Sequence, residues 1–161
     1  MRRKEKEIKA RGRVEEILEK AQVGRLGTVS KEGTPMIKPV NFFYRKGKIY
    51  FHTALEGEKM DHLALHSKVC FEVDEELGYL PASELPCEGN FAFRSVIVEG
   101  PVRLVEDPDE KITVFNWLME KYQPGAKLRP FTKKMVQNVG IVEITSERMT
   151  GKESTLPGVS P

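Results

Sequence analysis

Hydrophobic positions along the chain change their spacing several times, and each change predicts an element. Val14, Ile17, Leu18 and Ala21 fall at i, i+3, i+4 and i+7, which predicts one amphipathic helix over residues 3–22. Gly24 and Gly27 end that period. Strands are then predicted over 23–30, 34–45 and 48–53, with Lys31-Glu32-Gly33 and Lys46-Gly47 as tight turns, which makes a β-meander. Residues 57–66 read as a short helix with Met60 and Leu63 facing inward, and 68–74 as a β-branched strand.

Residues 75–90 read as a loop, because Gly78, Pro81, Pro86 and Gly89 interrupt them. A long strand is expected over 91–105, bent near Gly100-Pro101. Asp107, Pro108 and Glu110 form a helix start, with an N-cap acceptor followed by proline at N1 and a glutamate at N3. Ile112, Phe115, Leu118, Met119 and Tyr122 should give that helix its buried face, and Pro124-Gly125 should stop it. A final strand is expected over 139–145, and 148–161 read as a flexible tail. The six strands come as hairpins without βαβ alternation. The expected class is mainly β with peripheral helices: a six-stranded antiparallel barrel in a single domain, 1–161.

Composition narrows this little further. The 161 residues include 26 Lys+Arg and 24 Asp+Glu, a formal charge of +2, and 39% are hydrophobic. That describes an ordinary globular chain. The longest apolar run is three residues, so no membrane span is expected, and no apolar stretch follows the basic start. Residues 1–13 hold seven basic and two acidic side chains, leaving 19 basic and 22 acidic elsewhere. This arm reads as the solvated start of a helix rather than a nucleic-acid contact, since no zinc pattern, RGG tract or RNP-like strand accompanies it. Cys70, in a strand expected to be buried, and Cys87, in a loop, make no disulfide framework. A reducing cytoplasm is the simpler location.

The most informative stretch is Ile49-Tyr50-Phe51-His52-Thr53-Ala54-Leu55-Glu56-Gly57-Glu58-Lys59-Met60-Asp61. A strand ends on an imidazole and a hydroxyl, a Gly-containing turn follows, and a helix opens with a lysine in its first turn. Free N–H groups and the positive end of the helix dipole gather there, beside the Thr53 hydroxyl and the Lys59 ammonium. The set suits a phosphate, though a lysine near a helix start is also common on ordinary surfaces. In Met36-Ile37-Lys38-Pro39-Val40-Asn41-Phe42-Phe43, Pro39 cannot donate to a ladder and marks an edge or an interrupted register. Asn41 adds an amide to an apolar strand, either for a ligand or as a satisfied polar residue at the barrel end. His62 and His66 stand i, i+4 on one helix. Leu63 occupies the place of a zincin glutamate and no third ligand is evident, so no metal site is expected.

These blocks resemble a known family. Gly-Thr-Pro at 33–35, Lys-Pro-Val-Asn-Phe at 38–42, the 50–61 block, Val-Cys-Phe-Glu-Val-Asp at 69–74 and Phe-Arg-Ser-Val-Ile-Val-Glu-Gly at 93–100 are similar to the FMN-binding split-barrel superfamily of pyridoxamine 5′-phosphate oxidase. The branch they resemble most is that related to nitroimidazole-resistance (Nim) proteins. The resemblance covers about residues 14–147.

It implies FMN in a cleft between the subunits of a homodimer. Lys38, Pro39, Val40 and Asn41 would line the ring and ribityl chain, and His52 and Thr53 would sit beside the ribityl phosphate. Lys59 would pair with the phosphate, and Ser95 would lie near the flavin. Lys152 would be a C-terminal basic contact, and His52 would lie at the reactive site. The implied activity is electron transfer to a small organic acceptor such as a nitro-compound or quinone. The alternatives are a flavin-storage protein or a relative that binds haem or F420. Glu58 stands where the oxidases often carry a second basic residue, and Phe43 where they use a basic side chain for the substrate phosphate. The C-terminal substrate signature is missing, so oxidation of pyridoxamine phosphate is disfavoured.

Overall fold

The computed structural model describes residues 4–155. Nine strands and four helices follow the chain: β1 (Glu7–Ile8), α1 (Arg11–Lys20), β2 (Gly24–Val29), β3 (Pro35–Val40), β4 (Phe42–Arg45), β5 (Lys48–Thr53), α2 (Glu58–Leu65), β6 (Lys68–Leu80), β7 (Asn90–Val105), α3 (Pro108–Tyr122), α4 (Lys133–Val136), β8 (Gly140–Thr145) and β9 (Arg148–Ser154). All pairings are antiparallel, in the order β3-β2-β6-β7-β8-β5-β4, with β9 joining β7 to β1. The sheet does not close on itself, and the architecture is a split barrel.

Strand β7 joins the two half-sheets. Its first part lies between β6 and β9, with Phe93–Glu99 paired to Ser154–Arg148. After Gly100-Pro101 it exchanges β9 for β8, pairing Val102–Val105 with Ile144–Ile141. The exchange requires backbones to touch: a Cβ on Gly100 would lie 1.8 Å from the Thr145 carbonyl oxygen.

The main core fills the space between the half-sheets. Leu26, Phe71, Val96 and Val98 come from one, Phe42, Phe51 and Ile144 from the other, and Val14, Ile17 and Leu18 of α1 cover it. Phe42 meets Phe71 edge-on at 4.9 Å between ring centroids. Each such side chain contributes roughly 1.5–3 kcal/mol through burial. A second core lies outside β5 and β8, where α3 packs Val114 and Leu118 on Tyr50, Val105 and Ile141. The Tyr122 hydroxyl fixes the end of α3 to the β3–β4 crossover, accepting from the Phe42 N–H at 2.9 Å and lying 2.8 Å from the Gln22 carbonyl oxygen.

Several expectations are corrected. The N-terminal helix runs only from Arg11, because Glu7 and Ile8 pair with Lys152 and Gly151 along the β9 edge. Residue 3, the first of the expected helix, lies outside the described residues. The 34–45 strand is two strands, since the chain crosses between half-sheets at Asn41. The expected 75–90 loop is strand as far as Leu80, with a bulge at Glu76/Gly78. The first part of the tail is β9, and 156–161 lie outside the described residues. Cys70 is exposed rather than buried, as is Cys87, and both are free. The buried side of α3 is Lys111, Val114 and Leu118, while Phe115, Trp117 and Tyr122 are only half-buried. The basic arm is tied to the fold in part: Arg13 pairs with Glu16 at 2.8 Å and Glu153 at 2.9 Å. Among the described residues no helix is long and apolar enough to cross a membrane.

Candidate functional site

Strand alternation on β5 divides the informative motif. Ile49, Phe51 and Thr53 are buried, the first two in the main core, whereas Tyr50 joins the α3 core and His52 is exposed. His52 lies beside Phe115 of α3, 6.2 Å between ring centroids. After Thr53 the chain leaves the sheet and turns through Gly57, whose φ of 108° is a left-handed value that favours glycine. Gly57 is the N-cap of α2. Its carbonyl accepts from the Met60 and Asp61 N–H groups, and no side chain caps the helix. The Glu58 and Lys59 N–H groups therefore have no intrahelical partner, and the positive end of the helix dipole faces outward.

This corner lines an open cavity of about 550 Å³. Lys38 comes from edge strand β3, His52 and Thr53 from β5, and Glu58 and Lys59 from the first turn of α2. Lys59 is half-buried, with Nζ 5.5 Å from the Phe51 ring centroid. Burial first, and then the neighbouring Lys38 charge, push its ammonium below the ordinary lysine range. Two cations thus share one mouth with two carboxylates, Glu56 and Glu58. Lys38 Nζ lies 3.6 Å from a Glu58 carboxylate oxygen, but both side chains are exposed. The arrangement suits an anion that the backbone N–H groups and both lysines hold together.

The structure places Lys38, His52, Thr53 and Lys59 on one cavity. It adds Asn138 and Val139, which the sequence reading missed. The signal lay in the register: Thr53 pairs with Gly140, so the residues entering β8 stand beside the end of β5. Pro39 and Asn41 are exposed and Val40 is buried opposite Gly24, and none of the three lines the cavity. Pro39 does sit on an edge strand, since β3 pairs only with β2. Ser95 and Lys152 are partners across β7 and β9 and do not line this cavity. Phe43 stacks on Trp117, 5.6 Å and 21° apart, as part of the α3 packing.

A larger hollow of about 1130 Å³ lies beyond α2, lined by Met36, Ile37, Val69 and His62 among others. His62 is buried, and its Nδ1 lies 3.1 Å from the Thr28 hydroxyl. This hollow lacks the uncapped helix start and the lysine pair of the smaller cavity.

The family model described as pyridoxamine 5′-phosphate oxidase matches residues 10–153. The chain belongs to this family. Its split barrel is shared with a candidate 5-nitroimidazole antibiotic resistance protein from Bacteroides thetaiotaomicron VPI-5482, at 25% identity and a TM-score of 0.80, over 91% of this chain and 85% of that one. The flavocytochrome Anf3 from Azotobacter vinelandii superposes with a TM-score of 0.87 at 21% identity, covering 100% of this chain and 75% of that one. An FAD- and haem-binding protein from Mycobacterium smegmatis gives 0.84 at 20% identity, covering 96% and 77%. No protein of curated function matches in sequence. Within this family's fold, the chain carries the uncapped start of α2 just after β5, with Lys59 in its first turn and Lys38 on β3.

Proposed function

We propose that this protein binds FMN and passes electrons from a reduced nicotinamide or similar donor to a small organic acceptor, of the nitro-compound or quinone class. The observation that carries the reading is the convergence of Lys38, Lys59 and the uncapped start of α2 on one cavity. A phosphate monoester there gains charge-assisted hydrogen bonds. Thr53, on the cavity wall, supplies a hydroxyl to the ribityl end. Flavin supplies the hydride and electron chemistry when bound, while the protein sets its position and polarity. His52 is the proposed catalytic residue, exposed at the cavity wall where it can hold or release a proton at an imidazole nitrogen. Ser95 and Lys152, on β7 and β9, do not line the cavity, so their roles near the flavin require a second subunit. We assign the cofactor to a homodimer on that ground. Phe43 packs on Trp117, which supports disfavouring pyridoxamine phosphate as substrate.

Flavin binding without turnover is a second reading. It needs the same cavity as the first. The ligand that copurifies with the full chain tests both. An oxidised flavin spectrum and the mass of FMN support the reading, whereas a haem Soret band or the mass of F420 overturns the FMN assignment. Reduction by NAD(P)H followed by rapid reoxidation with a nitro-compound separates enzyme from store.

A further inference from the structure

Among the described residues one lysine is buried. Lys111, a turn into α3, is 7% exposed, whereas a lysine is rarely buried unless it is paired. Its ammonium donates to one protein acceptor, the Val139 carbonyl oxygen at 2.9 Å, and pairs with no carboxylate among the described residues. Glu143, also buried, is by contrast met by Arg103 and Lys48. A buried ammonium with only a neutral acceptor is costly, and two of its three N–H donors remain for another group. The carboxylates beside it in sequence are committed elsewhere. Asp107 caps α3, Asp109 pairs with Lys133 at 2.8 Å, and Glu110 pairs with Arg103.

Lys111 lines an open cavity of about 550 Å³, together with Lys133 and Lys134 of α4, the Gln137 side chain and Glu106. Lys134 has no carboxylate partner among the described residues. Lys133 shares an exposed pair with Asp109, which holds it only weakly. Glu106 is the one acid in the lining. Three ammonium groups and an amide therefore converge against a single carboxylate. This cavity shares no lining residue with the proposed cofactor cavity. The two are joined through Val139, which lines the cofactor cavity and whose carbonyl Lys111 holds.

We propose that the cavity between the start of α3 and α4 binds a phosphate group, free or carried by a small molecule, with Lys111 as its buried anchor and Lys133 and Lys134 as its exposed contacts. An ammonium is a compact point charge with three donors, which suits the oxygens of a tetrahedral anion. The anion supplies the counter-charge that Lys111 lacks in the protein, and burial of that contact makes it worth more than an exposed pair. The site is separate from the one proposed for the cofactor and does not depend on it.

Titration of the isotope-labelled full chain with inorganic phosphate and with glycerol 3-phosphate, at constant ionic strength, provides the test. Backbone amide resonances of residues 106–111 and 133–137 should move together and saturate. Lys134→Ala should weaken that binding about 3–10-fold, and Glu106→Gln should tighten it by a similar factor. Lys111→Met should abolish it, and the two surface variants keep the test decisive if that substitution unfolds the chain. Lys59→Ala, in the cofactor cavity, should leave it unchanged. Tighter binding of glycerol 3-phosphate assigns the site to an organic phosphate and tighter binding of inorganic phosphate assigns it to the free ion, and either result supports the proposal. Shifts confined to residues 52–59 and lost with Lys59→Ala overturn it, as does binding indifferent to both Lys134→Ala and Glu106→Gln. A drift without saturation at 106–111 and 133–137 overturns it equally.

Discussion

Lys38 and Glu58 face each other across the mouth of the cavity, 3.6 Å apart, one on the edge strand β3 and the other in the first turn of α2. Both side chains are solvent-exposed, so their attraction contributes little to stability. Its importance lies in competition. An incoming phosphate meets Lys38 already engaged and a carboxylate in its path. Glu58→Gln is therefore expected to tighten FMN binding about 2–10-fold. Riboflavin, which lacks the phosphate, should change less. Fluorescence titration of both ligands checks this.

His52 is exposed on the cavity wall and belongs to neither core cluster, so removal of the imidazole need not disturb the core. His52→Ala should keep its full flavin content and lose on the order of 100-fold in turnover with a nitro or quinone acceptor. Unchanged turnover at full flavin loading would leave His52 a wall residue only.

Gly100 tests the mechanical account of the split barrel. A Cβ there meets the Thr145 carbonyl oxygen at 1.8 Å and its carbon at 2.9 Å. Main chain cannot give way as a side-chain tip can, so Gly100→Ala should cost about 2–3 kcal/mol. Urea unfolding measures the loss, and an unchanged midpoint would mean that the β7 exchange from β9 to β8 is slack.

Acid stability should depend on Glu143. It is 2% exposed on β8, with Arg103 at 2.7 Å and Lys48 at 3.0 Å. Burial acts to raise its carboxyl, but the bonds from Arg103, Lys48 and Tyr50 outweigh that and hold it at about 2. A group depressed in the folded state stabilises above its unfolded value, near 4.5, and loses that contribution as pH falls toward 2. The contribution is on the order of 2–3 kcal/mol. Glu143→Gln should flatten stability against pH between 4.5 and 2. A variant that keeps the wild-type slope would assign acid sensitivity elsewhere.

Legibility in the sequence followed the physics of each element. The hairpins β2–β3 and β4–β5 show because their turns carry glycine and their strands carry β-branched and aromatic residues, whereas the expected single meander fails because β3 does not pair with β4. The start of α3 shows because Asp107 caps it as its chemistry demands, accepting from the Asp109 and Glu110 N–H groups at 3.4 and 3.0 Å. Strand β9 stayed hidden because Arg-Met-Thr-Gly-Lys-Glu-Ser has only one large apolar residue, and its strand character comes from the β7 edge that it fills. Asp74-Glu75-Glu76 reads as loop by propensity, yet it pairs with Ser95-Arg94-Phe93. Lys111 broke the α3 pattern because its ammonium donates to the Val139 carbonyl oxygen at 2.9 Å, a partner 28 residues away that periodicity cannot reveal. At the site, the contiguous 52–59 block and Lys38 were legible, whereas Asn138 and Val139 depend on the β5–β8 register.

The central claim is that the start of α2 holds the phosphate of the flavin. Its most direct test is the difference in affinity between FMN and riboflavin, measured for wild type and for Lys59→Ala. Wild type should prefer FMN, and Lys59→Ala should lose roughly 1–3 kcal/mol of FMN affinity while riboflavin affinity stays within error. Equal losses for both ligands, or no loss for either, would place the phosphate elsewhere and contradict the account.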